Sequence, residues 1–411
     1  MNALKKEVLE NMTFEEIQLA KERLNGIINS TPLIKSEYFS NEVGNQVYIK
    51  PENLQLTGAF KIRGAYNKIA KLTDDEKARG LICSSAGNHA QGVAYAAQKL
   101  GVKATIVMPN TTPLIKVEAT RSYGAKVILE GDVYDEAYAE ARRLEKEEGY
   151  VFVHPFNDYD VMAGQGTIGL EIYEDLKDVD CVLVPIGGGG LISGIAVALK
   201  NLNPNIHVIG VEPDGAMAMK LSMDEDRLIT LDEVDTIADG VAVKIPGDRT
   251  FEIIRDYVDE IVTVSDYEIM EAFLILLERH KLIAENAGIL SLAGLKKLDH
   301  IKNKKIACVV SGGNIDVVTI SSMINKGLVV RGRIYRFKVE LPDTPGQLLK
   351  ISQVLCDHNA NVIKLDHNQF RTLDRFKNVT LHVTIETNGH DHLKEILKAL
   401  ESEGFTITPE L

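Results

Sequence analysis

Residues 182–200 read VLVPIGGGGLISGIAVALK. An unbroken apolar run ends at Pro185, four glycines stand at 187–190, and an amphipathic helical pattern opens at Leu191. A short, wholly apolar run closed by a turn marks a strand buried on both faces. The same pattern recurs at 81-LICS, 104-ATIVMP, 127-VIL, 151-VFV, 207-HVIGVE and 306-IACVV, most of them followed by Gly, Asn or Pro and then a helix-like stretch. Buried strands alternating with helices imply an α/β fold with a parallel sheet covered on both faces. In such folds ligands sit beyond the carboxyl ends of the strands. Near the N-terminus, Thr13-Phe14-Glu15-Glu16 fits a capping box opening the first long helix.

The pattern changes near residue 330. Tyr335, Phe337, Val339 and Leu341 alternate with charged residues, Leu348, Ile351 and Leu355 recur at helical spacing, and Val379 to Ile385 alternate again. Leu393, Ile396, Leu397 and Leu400 share one helical face, and Phe405 and Ile407 close the series. The order βαββαβ in so few residues is a ferredoxin-like module. The reading is a first domain over 1–325, a linker over 326–332 and a second domain over 333–411. Charge agrees with the division, because residues 331–411 carry 11 basic and 11 acidic residues, leaving the whole net −13 in the rest of the chain.

The 411 residues are 45% hydrophobic and 26% charged, enough for large cores. An acidic surface repels phosphate backbones and anionic lipid, so nucleic acid and membrane are excluded as expected partners. Cys83, Cys181, Cys308 and Cys356 lack CxxC spacing and read as thiols of a reducing compartment. No run of about 18 apolar residues and no signal-peptide pattern is present, so a cytoplasmic protein is expected.

Four stretches can carry chemistry. The run Gly187 to Gly190 lets backbone N–H groups converge at a helix start, which suits a phosphate, although a tight turn packed against a neighbour needs the same glycines. It has neither the spacing of a dinucleotide fingerprint nor that of a P-loop. In 56-LTGAFKIRGAYNKIAKL, Lys61 falls in the first turn of a helix beside Gly58 and Ala59. Desolvation and a positive helix end both favour the neutral amine that forms a Schiff base, and a solvated helix lysine is the alternative. In 82-ICSSAGNHAQG, Ser85 and Asn88 stand where a strand enters a helix. They suit a carboxylate, or cap the helix with no ligand at all. By itself His89 reads as a structural hydrogen-bonder. In 306-IACVVSGGNID, Ser311 ends a strand, where a hydroxyl can meet a ring nitrogen or simply turn the chain. Together these are the parts for pyridoxal phosphate acting on an amino acid.

The chain resembles the fold-type II pyridoxal-phosphate enzymes, specifically the threonine ammonia-lyases (threonine dehydratases) with a single C-terminal ACT domain. The resemblance rests on Thr57 to Ala65 (TGAFKIRGA), Ser85 to Ala90 (SAGNHA), Gly187 to Gly190, Ala238 to Ala242 (ADGVA) and Ser311 to Asn314 (SGGN), with Leu341 to Gly346 (LPDTPG) in the ACT-like part. It implies two lobes of parallel sheet, as in tryptophan synthase β, with the smaller lobe, roughly 50–155, inserted in the larger. By matching position, Lys61 resembles the Schiff-base lysine, Phe60 the ring neighbour, Asn88 the partner of the cofactor's 3-hydroxyl, Gly187 to Gly190 the phosphate loop and Ser311 the partner of the pyridine nitrogen. Ser85, Asn88 and His89 sit where the family holds the substrate carboxylate, and Asp239 where it lines the substrate.

What the resemblance implies is a carbon–nitrogen lyase of amino-acid metabolism, with a place in isoleucine biosynthesis. It converts L-threonine to 2-oxobutanoate and ammonia, with L-serine to pyruvate as a side activity. A neutral hydroxyl at Ser311 cannot hold the ring nitrogen protonated, which favours prompt β-elimination. Serine racemases of this fold carry a serine where this chain has Ala86, so racemisation loses its second proton donor. Their metal site needs an Asp where this chain has Ala218 beside Glu212, leaving a metal undecided. In the ACT-like module, Pro345, Gly346 and Asn361 match effector-binding positions for isoleucine or valine, and a homodimer or homotetramer is implied. The other readings are a catabolic serine/threonine dehydratase, a serine racemase, a β-replacement lyase and a non-catalytic amino-acid sensor.

Overall fold

A computed structural model describes residues 3–367 and 378–410, in two compact units, Met1–Ile315 and Asp316–Leu411. Every apolar run quoted above is a strand, but they divide between two sheets. Strands Lys126–Leu129, Ala104–Met108, Leu81–Ser84 and Val151–Phe152 form a wholly parallel four-stranded sheet in that order. Strands Gln46–Pro51, Lys305–Val310, Cys181–Pro185, His207–Pro213 and Glu260–Val264 form a larger parallel sheet, with Ile34–Ser36 added antiparallel at one edge. The apolar pattern alone reads as one sheet, because burial on both faces says nothing about which strands pair.

Gln46–Pro51 is a central strand that the apolar pattern missed, since it carries Lys50. That lysine is 1% exposed, with Nζ 2.6 Å from Glu171 Oε2. Glu171 also meets Arg63, whose guanidinium binds Glu52 through Nε at 2.8 Å and Nη2 at 2.7 Å. Two cations and two carboxylates therefore neutralise one another in the core, which is the condition for burying any of them. Arg63 lies two residues beyond Lys61 and ties the helix Lys61–Ala70 to the large sheet.

Three helices meet almost backbone to backbone. A Cβ on Gly64 would stand 2.6 Å from Val161 O, one on Gly164 2.5 Å from Arg63 O, and one on Gly194 2.2 Å from Met162 O. Helices Lys61–Ala70 and Gly190–Leu202 are thus both set against Tyr159–Asp175, which fixes the lysine helix relative to the glycine-loop helix. Thr13 caps its helix, Phe14–Leu24, accepting from Glu16 N, but the expected capping box is only half formed.

In the second unit, strand Ile334–Pro342, helix Gln347–Asp357, strands Asn361–His367 and Asn378–Glu386, helix His390–Ser402 and strand Ile407–Pro409 follow one another. The sheet is antiparallel where the first strand meets the third and the fourth, and where the second meets the third. The expected βαββαβ order is observed, preceded by helix Val317–Val330. No helix among the described residues is long and apolar enough to cross a membrane.

Candidate active site

Lys61 opens its helix, and its Nζ donates to Pro155 O at 2.8 Å. Desolvation pushes the ammonium pKa down to about 8, with Glu285 opposing the shift. Phe60 lies beneath it, 5.2 Å from Nζ to the ring centroid, and Phe60 N donates to Ser311 O at 3.1 Å. The lysine helix and the end of strand Lys305–Val310 are therefore joined directly, and Ser311 is buried at the junction.

The glycine loop reaches the same place from the other side. Gly189 has φ +93°, and Cβ atoms on Gly188 and Gly190 would stand 2.4 Å and 2.8 Å from Phe156. Phe156 follows Pro155, the acceptor of the lysine, so one short segment separates the amine from the loop. Among the described residues, no hydrogen bond takes up the N–H groups of Gly187 to Gly190. Close packing on one side and free amides on the other unite the two readings of this run.

Asn88 begins helix Asn88–Leu100 at the end of strand Leu81–Ser84. Its Nδ2 donates to Glu285 Oε1 and its Oδ1 accepts from Asn314 Nδ2, both at 2.6 Å. Ser85 stays in the loop before it, where its Oγ accepts from Gly87 N. His89 is buried, with Nε2 2.8 Å from Val153 O and Nδ1 without a partner. Desolvation, then the Lys61 charge, drop its pKa to about 3, so it is a neutral ring. Asp239 is exposed at the head of the turn Asp239–Val241. That turn approaches the loop through Val241, whose Cα would lie 3.0 Å from a Cβ on Gly187.

Sequence reading passed over the segment Val153–Asn157 and Glu285. His154 Nδ1 accepts from Phe156 N and Asn157 N, at 3.2 and 2.8 Å, and so shapes the segment that holds Lys61. It directly follows a strand, and that position was the available signal. Glu285 sits in 281-KLIAENAG, which has no motif and no strand before it. Glu212 accepts from Met219 N at 3.0 Å and Lys220 N at 2.8 Å. No group of three His, Cys, Asp or Glu residues able to hold a metal stands among the described residues.

In the second unit, Pro345 and Gly346 are exposed in the loop before helix Gln347–Asp357, and Gly346 has φ +97° with open space around it. Asn361 is level with Ile334 through Glu386, whereas Pro342 is level with Asn378. The loop and Asn361 thus stand at opposite ends of the strands and do not meet within one copy.

The first unit fits pyridoxal phosphate. Unused loop amides suit its phosphate, a desolvated amine its aldehyde, and a buried hydroxyl its ring nitrogen, while Asn88 keeps one N–H unspent after Glu285. The comparisons agree. Residues 24–312 match the family model of pyridoxal-phosphate dependent enzymes, and residues 335–405 that of the ACT domain. An L-threonine ammonia-lyase of Thermotoga maritima is 48% identical over 96% of this chain and 99% of its own. The processed form of threonine deaminase isoform 2 from Solanum lycopersicum superposes with a TM-score of 0.75 at 39% identity, covering 79% of this chain and 94% of that one. Maize serine racemase does so with 0.73 at 36%, covering 78% and 98%. A lysine, a glycine loop and a strand-end serine brought to one place thus coincide with likeness along nearly the whole chain, which belongs to the pyridoxal-phosphate dependent enzymes of fold-type II, in the threonine ammonia-lyase group with one C-terminal ACT domain.

Proposed function

We propose that this chain deaminates L-threonine to 2-oxobutanoate and ammonia, takes L-serine to pyruvate as a slower side reaction, and is regulated by a small amino acid at its ACT domain. The observation that carries the chemistry is the desolvated Lys61 amine, close to its working protonation state near neutral pH. Pyridoxal phosphate, when bound, supplies the electron sink that lets the substrate's Cα proton leave. Lys61 would hold the cofactor through its side-chain amine, and the same amine, when free, would take that proton. Gly187 to Gly190 hold the phosphate with backbone N–H groups, and Phe60 packs beside the ring. Asn88 would donate to the ring's oxygen, and the Ser311 hydroxyl would partner the ring nitrogen. The Ser85 hydroxyl and the backbone N–H groups of Asn88 and His89 at the start of their helix would orient the substrate carboxylate, with Asp239 on the substrate side. The Cα proton and the β-hydroxyl together leave as water, and the unsaturated amine that remains takes up water to give the keto acid and ammonia.

Ala86 is the residue that argues against racemisation, although the fold is shared with a serine racemase. A methyl group has no proton to return to the opposite face of Cα. Isoleucine or valine is the effector reading, centred on Pro345 and Gly346. Asn361 joins it only if a second copy of the domain contributes, which fits a dimer or tetramer. Keto-acid formation from L-threonine and L-serine, with and without isoleucine and valine, tests the proposal. Faster turnover of threonine and an effector-dependent rate are expected. D-serine accumulating from L-serine, or no keto acid from either substrate, would overturn it.

A further inference from the structure

Glu285 belongs to none of the motifs, yet it is stitched into the site. The helix Asp266–Ile275 continues as a π-turn, Leu276–His280, and breaks at Lys281 with φ +58°. Such departures recur where a helix must deliver a residue to a functional site. Glu285 N then donates to Gly312 O at 3.0 Å, and Ser311 N donates to Gly288 O at 3.1 Å. A Cβ on Gly312 would stand 2.3 Å from Glu285 Oε1, so the glycine after Ser311 leaves this carboxyl the space it occupies.

The carboxyl ends a directed chain of hydrogen bonds. Asn314 Nδ2 donates to Thr57 O at 2.8 Å and to Asn88 Oδ1 at 2.6 Å, and Asn88 Nδ2 donates to Glu285 Oε1 at 2.6 Å. Reversing the Asn88 amide would set its NH2 against that of Asn314 and its oxygen against the carboxyl. The chain therefore fixes which atom of Asn88 faces where, and leaves one N–H of its amide unspent. The geometry points to Glu285 as a positioning residue that locks the Asn88 amide with that N–H presented to the oxygen substituent of the cofactor ring. This rests on the reading of Asn88 given above.

The groups facing Glu285 are Lys61 and Lys116, which favour its carboxylate, Asp239, which opposes it, and Asn88. Desolvation outweighs the cations and lifts its pKa to about 7. An uncharged acid accepts from Asn88 without placing a second negative charge beside the ring oxygen.

The test is a double-mutant cycle on reconstituted holoenzyme, reading pyridoxal-phosphate affinity and the visible absorption band from pH 6 to 9. Asn88→Ala should weaken the cofactor about 2- to 10-fold, the worth of one neutral hydrogen bond, and move the band. Glu285→Ala should do likewise, and the double variant should be no worse than Asn88→Ala alone. Glu285→Gln keeps an acceptor for Asn88, so it should restore the affinity and remove the band's change near pH 7. Additive losses in the double variant, or a Gln variant as weak as Ala, would overturn the inference. If Glu285→Ala does not fold, the isosteric Gln variant still decides, because a band that goes on changing near pH 7 contradicts the assignment. An Asn88→Ala protein with unaltered affinity and band would instead bring down the Asn88 reading itself, and this inference with it.

Discussion

In the function proposed above, the chemistry turns on the protonation of one amine, that of Lys61. An ordinary lysine is almost wholly protonated at neutral pH and cannot attack an aldehyde. Removing Lys61 from water costs the charged form most, and the opposing attraction of Glu285 does not restore it. The sign follows directly, since the neutral fraction rises as pH approaches about 8 and levels above it. Capture of pyridoxal phosphate by the cofactor-free protein should therefore quicken roughly tenfold per pH unit below 8 and flatten above, read by stopped-flow absorbance. A rise continuing past pH 9 would mean an ordinary lysine. At this scale, strand-end and helix-start positions were legible, because Gly, Ser and Asn there have local geometric causes. Glu285 was not legible. Its place depends on a π-turn and a left-handed Lys281, and neither leaves a pattern in the hydropathy of 276-LLERHKLIAENAG.

At the scale of elements, small residues decide how closely the site's walls approach. Gly188 faces the Phe156 ring and Gly92 the backbone of Ile62, where a Cβ would stand 3.1 Å from its N. A methyl group at 188 must displace an aromatic ring that packs edge-on against His154 at 4.7 Å between centroids. Gly188→Ala should cost about 1–3 kcal/mol in urea unfolding and weaken the cofactor. An unchanged midpoint with full cofactor affinity would show that the ring simply moves aside. The buried apolar strands were readable because both their faces are covered. Gln46–Pro51 escaped because a buried Lys50 looks like a surface residue until Glu171, more than a hundred positions away, is seen to neutralise it.

At the scale of the whole molecule, the two units have separate cores. The change of period and charge near residue 330 was visible because local alternation sets a half-exposed antiparallel sheet apart from buried parallel strands. The division of the first unit into two sheets was expected from the resemblance, which implies two lobes, and not from the apolar pattern, since pairing is a non-local choice. A chain ending at Val330 should keep keto-acid formation from threonine and lose any response to isoleucine or valine. A truncated protein that still responds would remove regulation from the ACT domain.

The most direct measurement is reductive trapping of the resting holoenzyme with borohydride, followed by digestion and peptide mass mapping. The account predicts a single pyridoxyl group, on the peptide that contains Lys61. A modified peptide from anywhere else, or an unmodified digest from fully coloured protein, would contradict it.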